Sequence, residues 1–307
     1  MSSAPLQRRA LAAVAIAVLT WGCSNVMIKA VPVNGFVASF YRLWFSIPLL
    51  WLLPLAQRRT RRMWRRDWVT GSLIGGSLFA LHQVLFFNAL KQTTVANVAL
   101  IGALQPLLVL AVAGRWFGEH VAPRTVGWAV LALAGVVLVV AGASGLPGWS
   151  VGGDLLAIGN LVAFTAYFLA SKRIRRRNAA IDYLIGMTTV AGVIMLGICL
   201  ATGQPLSSPR GSEWLVLLTL AMVPGTLGHF LINWAHVHTS AFVVSILMLG
   251  VPLIACAGAA ILLDERMTAL QASGAAVALA AIAALLATQP RRRAEDLAQS
   301  AAATDAP

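Results

Sequence analysis

The chain has 307 residues, 59% of them apolar and only 11% charged, where a soluble domain carries about 25% charged residues. The apolar residues come in blocks of about 20, enough for a helix to cross a hydrocarbon core roughly 30 Å thick, which excludes a soluble globular fold. The net charge of +13 invites a nucleic-acid partner, but neither a soluble basic domain nor an interleaved aromatic platform is there to receive one, so none is expected.

Ten transmembrane helices are predicted. Backbone polar groups cannot stay unpaired in lipid, and the alternating runs of about ten residues that mark a spanning barrel are missing. The first span, Leu11–Ala30, follows Arg8-Arg9. It is longer than a signal-peptide core and lacks a small-x-small exit, so an uncleaved helix is expected. Trp21 and Asn25 share one of its faces at i, i+4. The second span, Phe36–Ala56, carries Arg42 inside the membrane, where a guanidinium costs several kcal/mol unless paired or wetted. Two readings of it stay open: an anchor for an anionic substrate group, or an arginine that snorkels or is structural, bonded to helix-end carbonyls.

The third span, Trp68–Leu90, sets His82 and Gln83 at mid-membrane between Phe79 and Phe86. The fourth, Thr93–Gly114, contains Pro106, expected to remove a backbone bond and bend the helix. Glu119 precedes the fifth, Thr125–Ala143, and the sixth, Asp154–Ser171, aligns Asn160, Phe164 and Tyr167. After Ile181–Ala201 comes the eighth span, Glu213–His236, in which Pro224-Gly225 and Gly228 form a break just before His229. His229, Asn233 and His236 recur at i, i+4 and i+7 as one polar stripe. Interhelical bonding would explain a lone polar residue; a stripe from mid-membrane to one end fits a wet cavity. The ninth span, Ser240–Leu263, contains Pro252, and Glu265 precedes the tenth, Thr268–Thr288. Glu119 and Glu265 sit where a carboxylate caps helix amides, and both are expected to be structural caps.

Thr93-Thr94 through Pro106 to Glu119 recurs as Thr239-Ser240 through Pro252 to Glu265, a constant offset of 146 residues (93 to 239, 106 to 252, 119 to 265). Two five-helix units follow, residues 11–143 and 154–288, with 289–307 as a disordered cytoplasmic tail. An odd number of spans per unit makes the second unit enter from the opposite side, and inverted repeats of this kind build two alternative gates around one midplane site in many secondary transporters. With the N-terminus inside, 18 of the 23 Lys and Arg face the cytoplasm. A bacterial inner (plasma) membrane protein with both termini cytoplasmic is expected, with no soluble domain to act outside the bundle.

Leu19-Thr20-Trp21-Gly22-Cys23-Ser24-Asn25, Phe40-Tyr41-Arg42-Leu43, Asn88-Ala89-Leu90-Lys91-Gln92-Thr93-Thr94 and Phe117-Gly118-Glu119-His120-Val121-Ala122-Pro123 stand in order along the first half. This ordered set resembles the drug/metabolite transporter superfamily, specifically its EamA-type domain, and the resemblance runs from about Leu11 to Thr288. The second copy departs from the pattern with Asp264 where glycine is usual and Val251 before Pro252. The resemblance implies ten helices in two inverted halves, and transport or export of small metabolites, without fixing the substrate.

The expected substrate site comprises Trp21, Asn25, Arg42, Phe79, His82, Gln83, Phe86, Asn160, Phe164, Tyr167, His229 and Asn233, an aromatic-walled pocket with a few polar groups. Pro106, Pro224 and Pro252 are the expected hinges. No acidic residue lies at mid-span, so proton coupling would fall to His82 or His229, and facilitated diffusion or exchange is the leading expectation. Cys23, Cys199 and Cys256 show no metal or disulfide spacing, and neither metal, cofactor nor enzymatic activity is expected. The function expected is export of small metabolites, amino acids or related molecules, by a monomer or homodimer; the alternative is a lipid or lipid-precursor flippase of the same fold.

Overall fold

The computed structural model describes residues 4–56, 65–117, 123–143, 145–238, 244, 247–281 and 283–284; Glu119 and the expected tail lie outside them. The described residues form helices and turns, without strands. In chain order these are α1 (Ala4–Ala30), α2 (Gly35–Ala56), α3 (Arg66–Gln92), α4 (Val95–Gly102), α5 (Gln105–Phe117), α6 (Pro123–Ala143), α7 (Val151–Ile174), α8 (Ala180–Ala201) and α9 (Glu213–Leu220). A π-helical run, Ala221–Gly228, then leads into α10 (His229–Ala235), followed by α11 (Gly250–Leu262) and α12 (Ala269–Ala281). With α4–α5 and α9–π–α10 each counted as one span, this is an all-α membrane fold of ten transmembrane helices in two inverted five-helix repeats.

Local chemistry places the boundaries. Pro32 turns the chain out of α1, and Asn34 Oδ1 starts α2 by accepting from Val37 N at 2.9 Å. Thr94 caps α4 and Ser150 caps α7 through side-chain oxygens that accept from the amides of Asn97 and Gly153. Thr268 and Gln271 exchange bonds in a capping box at the start of α12 (3.1 and 2.9 Å).

The prolines sit differently from expectation. The fourth span is broken at Ala103-Leu104, and Pro106 is the second residue of the new helix α5, where a missing amide costs little. Pro252 likewise lies in the first turn of α11, so neither bends a continuous helix. Pro224 lies within the π-helical run, whose wider turn accommodates its ring.

The two halves interlock by exchange. The third helix of the first half, α3, packs on α7 and α8, and its counterpart α9–α10 packs through the π-helical run and α10 on α1 and α2. α1 packs on α11, and α7 correspondingly on α4 and α5. Every such pair is matched by its mate with the halves swapped, as a pseudo-two-fold demands. At the crossing of α6 and α12, Gly135 and Gly274 bring the backbones together: a Cβ on Gly135 would lie 2.6 Å from Gly274 O. Outward-facing Val130, Leu133, Val137, Leu253 and Ile261 offer the apolar exterior that lipid requires.

A buried polar knot ties the halves at one end. Asp154, 5% exposed, accepts from Thr93 Oγ1 (2.7 Å), Asn97 Nδ2 (2.9 Å) and Trp149 Nε1 (2.8 Å). Lys29 Nζ donates to Thr93 O at 2.7 Å. Glu265 accepts from the amides of Val95 and Ala96 and from Thr94, so it caps α4 of the other half rather than its own α12.

Candidate functional site

Between the two halves lies a cavity of about 100 Å³, or about 730 Å³ with its open mouth counted. Its lining runs from Trp21 to Ile28 on α1 and from Val98 to Gly102 on α4. It therefore occupies the half of the membrane nearest the 31–34 and 93–94 turns. On the opposite side the buried side chains of Phe79, Tyr167 and Asn233 close it.

Nine of the twelve predicted residues line this cavity: Trp21, Asn25, Arg42, His82, Gln83, Phe86, Asn160, Phe164 and His229. Phe79, Tyr167 and Asn233 do not. They are 2%, 2% and 0% exposed and form the packed floor beneath it. Phe79 lies 5.1 Å from the Tyr167 ring and 4.7 Å from His229, while Asn233 Nδ2 donates to Tyr167 Oη at 3.3 Å. Helical periodicity alone cannot separate lining from floor, since both face inward.

The walls set the hydrogen-bonding sense of one of the two histidines. His82 Nδ1 lies 2.6 Å from Asn160 Oδ1 and must donate to it, which leaves Nε2 with a lone pair. Tyr167 Oη accepts from Asn233 and lies 3.3 Å from His229 Nδ1, a bond whose direction follows the imidazole tautomer. The cavity wall thus carries two imidazoles, of which His82 presents an acceptor. Trp21 Nε1 donates to Pro224 O at 3.0 Å, satisfying a carbonyl in the π-helical run, and its ring packs 4.7 Å from His229 and 5.9 Å from Phe164.

Arg42 is 6% exposed and, among the described residues, has no carboxylate within ion-pair distance. Its Nη1 donates to Gln83 Oε1, and its guanidinium lies 5.8 Å from the Phe79 ring and 5.7 Å from Phe87. Neither structural alternative from the sequence describes it: it neither snorkels nor caps a helix end. Among the described residues Gln83 Nε2 has no partner, and the same holds for Gln105 Nε2, 2% exposed in the lining. Gln105 was missed as a site residue. Its only signal was a polar residue preceding the proline of an otherwise apolar span. Ser24, Ile28, Val98, Ala99, Gly102, Met248 and Val251 also line the cavity without a sequence cue that separates them from packing. Among the described residues no cluster of three His, Cys, Asp or Glu side chains converges to hold a metal.

Two swapped five-helix halves around one partly polar cavity define the ten-helix, two-repeat class of membrane transporter. The chain belongs to the EamA-like transporter family, whose model matches residues 8–141 and again 151–287, within the drug/metabolite transporter superfamily. It is similar to an aromatic amino acid exporter, YddG, of Ancylobacter novellus, at 32% identity over 51% of this chain and 53% of that protein, so the match spans about half the relative's length. It is also similar to the pseudopaline exporter CntI of Pseudomonas aeruginosa, at 23% identity over 75% of this chain and 79% of that one. A crystal structure with 22% identity superposes on 93% of this chain and 98% of its own with a TM-score of 0.68, a likeness of fold.

Proposed function

We propose that this protein exports small amphipathic organic molecules bearing a carboxylate, amino acids and related metabolites foremost, by alternating access across a bacterial plasma membrane. The observation that carries the reading is the donor set: a buried Arg42 that, among the described residues, meets Gln83 but no carboxylate, beside Gln83 and Gln105, whose amide nitrogens have no partner among those residues. Donors without acceptors in a low-dielectric site call for an anionic oxygen. Trp21, Phe86, Phe164 and Ile28 supply apolar walls for the rest of the molecule. The names carried by the relatives, exporters of aromatic amino acids and of pseudopaline, support the same substrate class.

The excess of Lys and Arg on the 57–66 and 172–177 segments supports a cytoplasmic closed end, and with it a cavity that faces outward in this conformation. Arg42 and the two histidines bind, Pro224 with the π-helical run flexes, and exchange or facilitated diffusion drives net flux without a titrating carboxylate. The test is counterflow of labelled amino acids in liposomes. Arg42→Gln is expected to lower uptake of carboxylate substrates about tenfold or more, the cost of one charge-assisted bond pair. Trp21→Ala and His229→Ala are expected to lower it as well. Unchanged flux in all three variants removes the assigned site; no flux of any amino acid in the wild type removes the substrate class.

A further inference from the structure

At the closed end, where α7 and α10 finish, a second cleft is lined by Lys172 and Arg176 on one side and His236, Val237 and His238 on the other. Behind it Arg175, 6% exposed, donates from Nε to Asn233 O at 2.9 Å and ties the two helix ends together. Burial lowers its guanidinium to about 10, so it stays charged at neutral pH. Cations at helix C-termini complement the backbone dipole, and that accounts for Arg175 without any ligand.

It does not account for His236. This side chain is 3% exposed, lines the cleft, and among the described residues has no partner at Nδ1 or at Nε2. Phe168 holds the imidazole edge-to-face at 4.6 Å and 80°, so the ring is positioned but unanswered. A neutral imidazole always carries one N–H and one lone pair, and protein interiors rarely leave both unmet. Among the described residues no carboxylate lines the cleft. A group that would meet a buried imidazole between a lysine and an arginine is a small oxyanion, which accepts several charge-assisted bonds at once. The cleft also lies on the face with the basic segments, where anionic headgroups and basic interhelical pockets meet.

The geometry points to an oxyanion site in which Lys172, Arg176, His236 and His238 hold one phosphate group, presented by an anionic phospholipid headgroup or by free phosphate. An occupant there bridges the ends of α7 and α10, the helices that carry Asn160, Phe164 and His229 into the cavity, and so steadies the closed end.

The test uses the full-length protein in detergent. Thermal stability is titrated with phosphatidylglycerol against phosphatidylcholine, and with inorganic phosphate against chloride at matched ionic strength. Arg176→Gln and His236→Gln are compared with Arg177→Gln, whose side chain is 74% exposed and pairs with Asp67 away from the cleft. Stabilisation by phosphatidylglycerol alone names the headgroup as source, and by phosphate alone the free ion. Either should weaken about tenfold in apparent affinity in Arg176→Gln and stay unchanged in Arg177→Gln. If His236→Gln fails to fold, Arg176→Gln carries the comparison. No stabilisation by either ligand, or equal losses in Arg176→Gln and Arg177→Gln, overturns the site.

Discussion

Gly102 and Glu265 show how single positions carry opposite burdens here. A Cβ on Gly102 would meet nothing within 4 Å, yet the residue lines the cavity. Gly102→Leu is therefore expected to fill the binding volume without disturbing its neighbours: counterflow falls by at least about tenfold while the melting temperature holds. A melting temperature that drops with the flux would mean the space is not free. Glu265 titrates in the loop ahead of α12. Burial raises its carboxyl above the ordinary 4.5, against the opposing pull of Lys29 and of the α4 amides. A carboxyl raised in the folded state contributes stability while protonated, in full below 4.5, and loses it as pH climbs through the raised value. Thermal melts of wild type and Glu265→Gln between about pH 4 and neutrality should thus diverge, with wild type losing ground as pH rises. A pH-independent difference refutes this.

At the scale of helices, small residues and broken backbone decide where spans can meet. Gly135 faces Gly274 so closely that any side chain must push α6 and α12 apart. Gly135→Val is expected to destabilise by about 1–3 kcal/mol, seen as a lower melting temperature with substrate selectivity unchanged. Stability equal to wild type would show that the crossing is loose. Asp264 has φ of 51°, in the left-handed region at the end of α11, a conformation that favours the glycine expected at this position from the resemblance. The apolar runs announced each span, but not that Ala103-Leu104 would interrupt the fourth or that the eighth would widen into a π-helical run. Both interruptions concern which carbonyl an amide chooses, a matter of a few residues that composition does not record. Glu265 taught the same lesson: a carboxylate beside a helix start looked like a cap, and the helix it caps lies in the other half.

For the molecule as a whole, the inverted arrangement makes a simple demand. Cysteines placed at 119 and 265 in an otherwise cysteine-free chain should react with impermeant label from opposite sides of sealed vesicles. Labelling of both from one side would dismantle the topology and the transport scheme with it.

The lengths of the apolar runs, the 146-residue offset from 93 to 239 and the one-sided arginines settle class, span number and symmetry from the chain alone. These properties depend on local composition and on what lipid tolerates. That Arg42, Gln83 and Gln105 would converge in one cavity, that Phe79, Tyr167 and Asn233 would pave the floor instead of the wall, and that His236 would line a cleft with Lys172 and Arg176 and meet no partner among the described residues depend on how each helix is rotated and crossed. Those choices are made by side chains of distant helices packing together, and no window of sequence contains them.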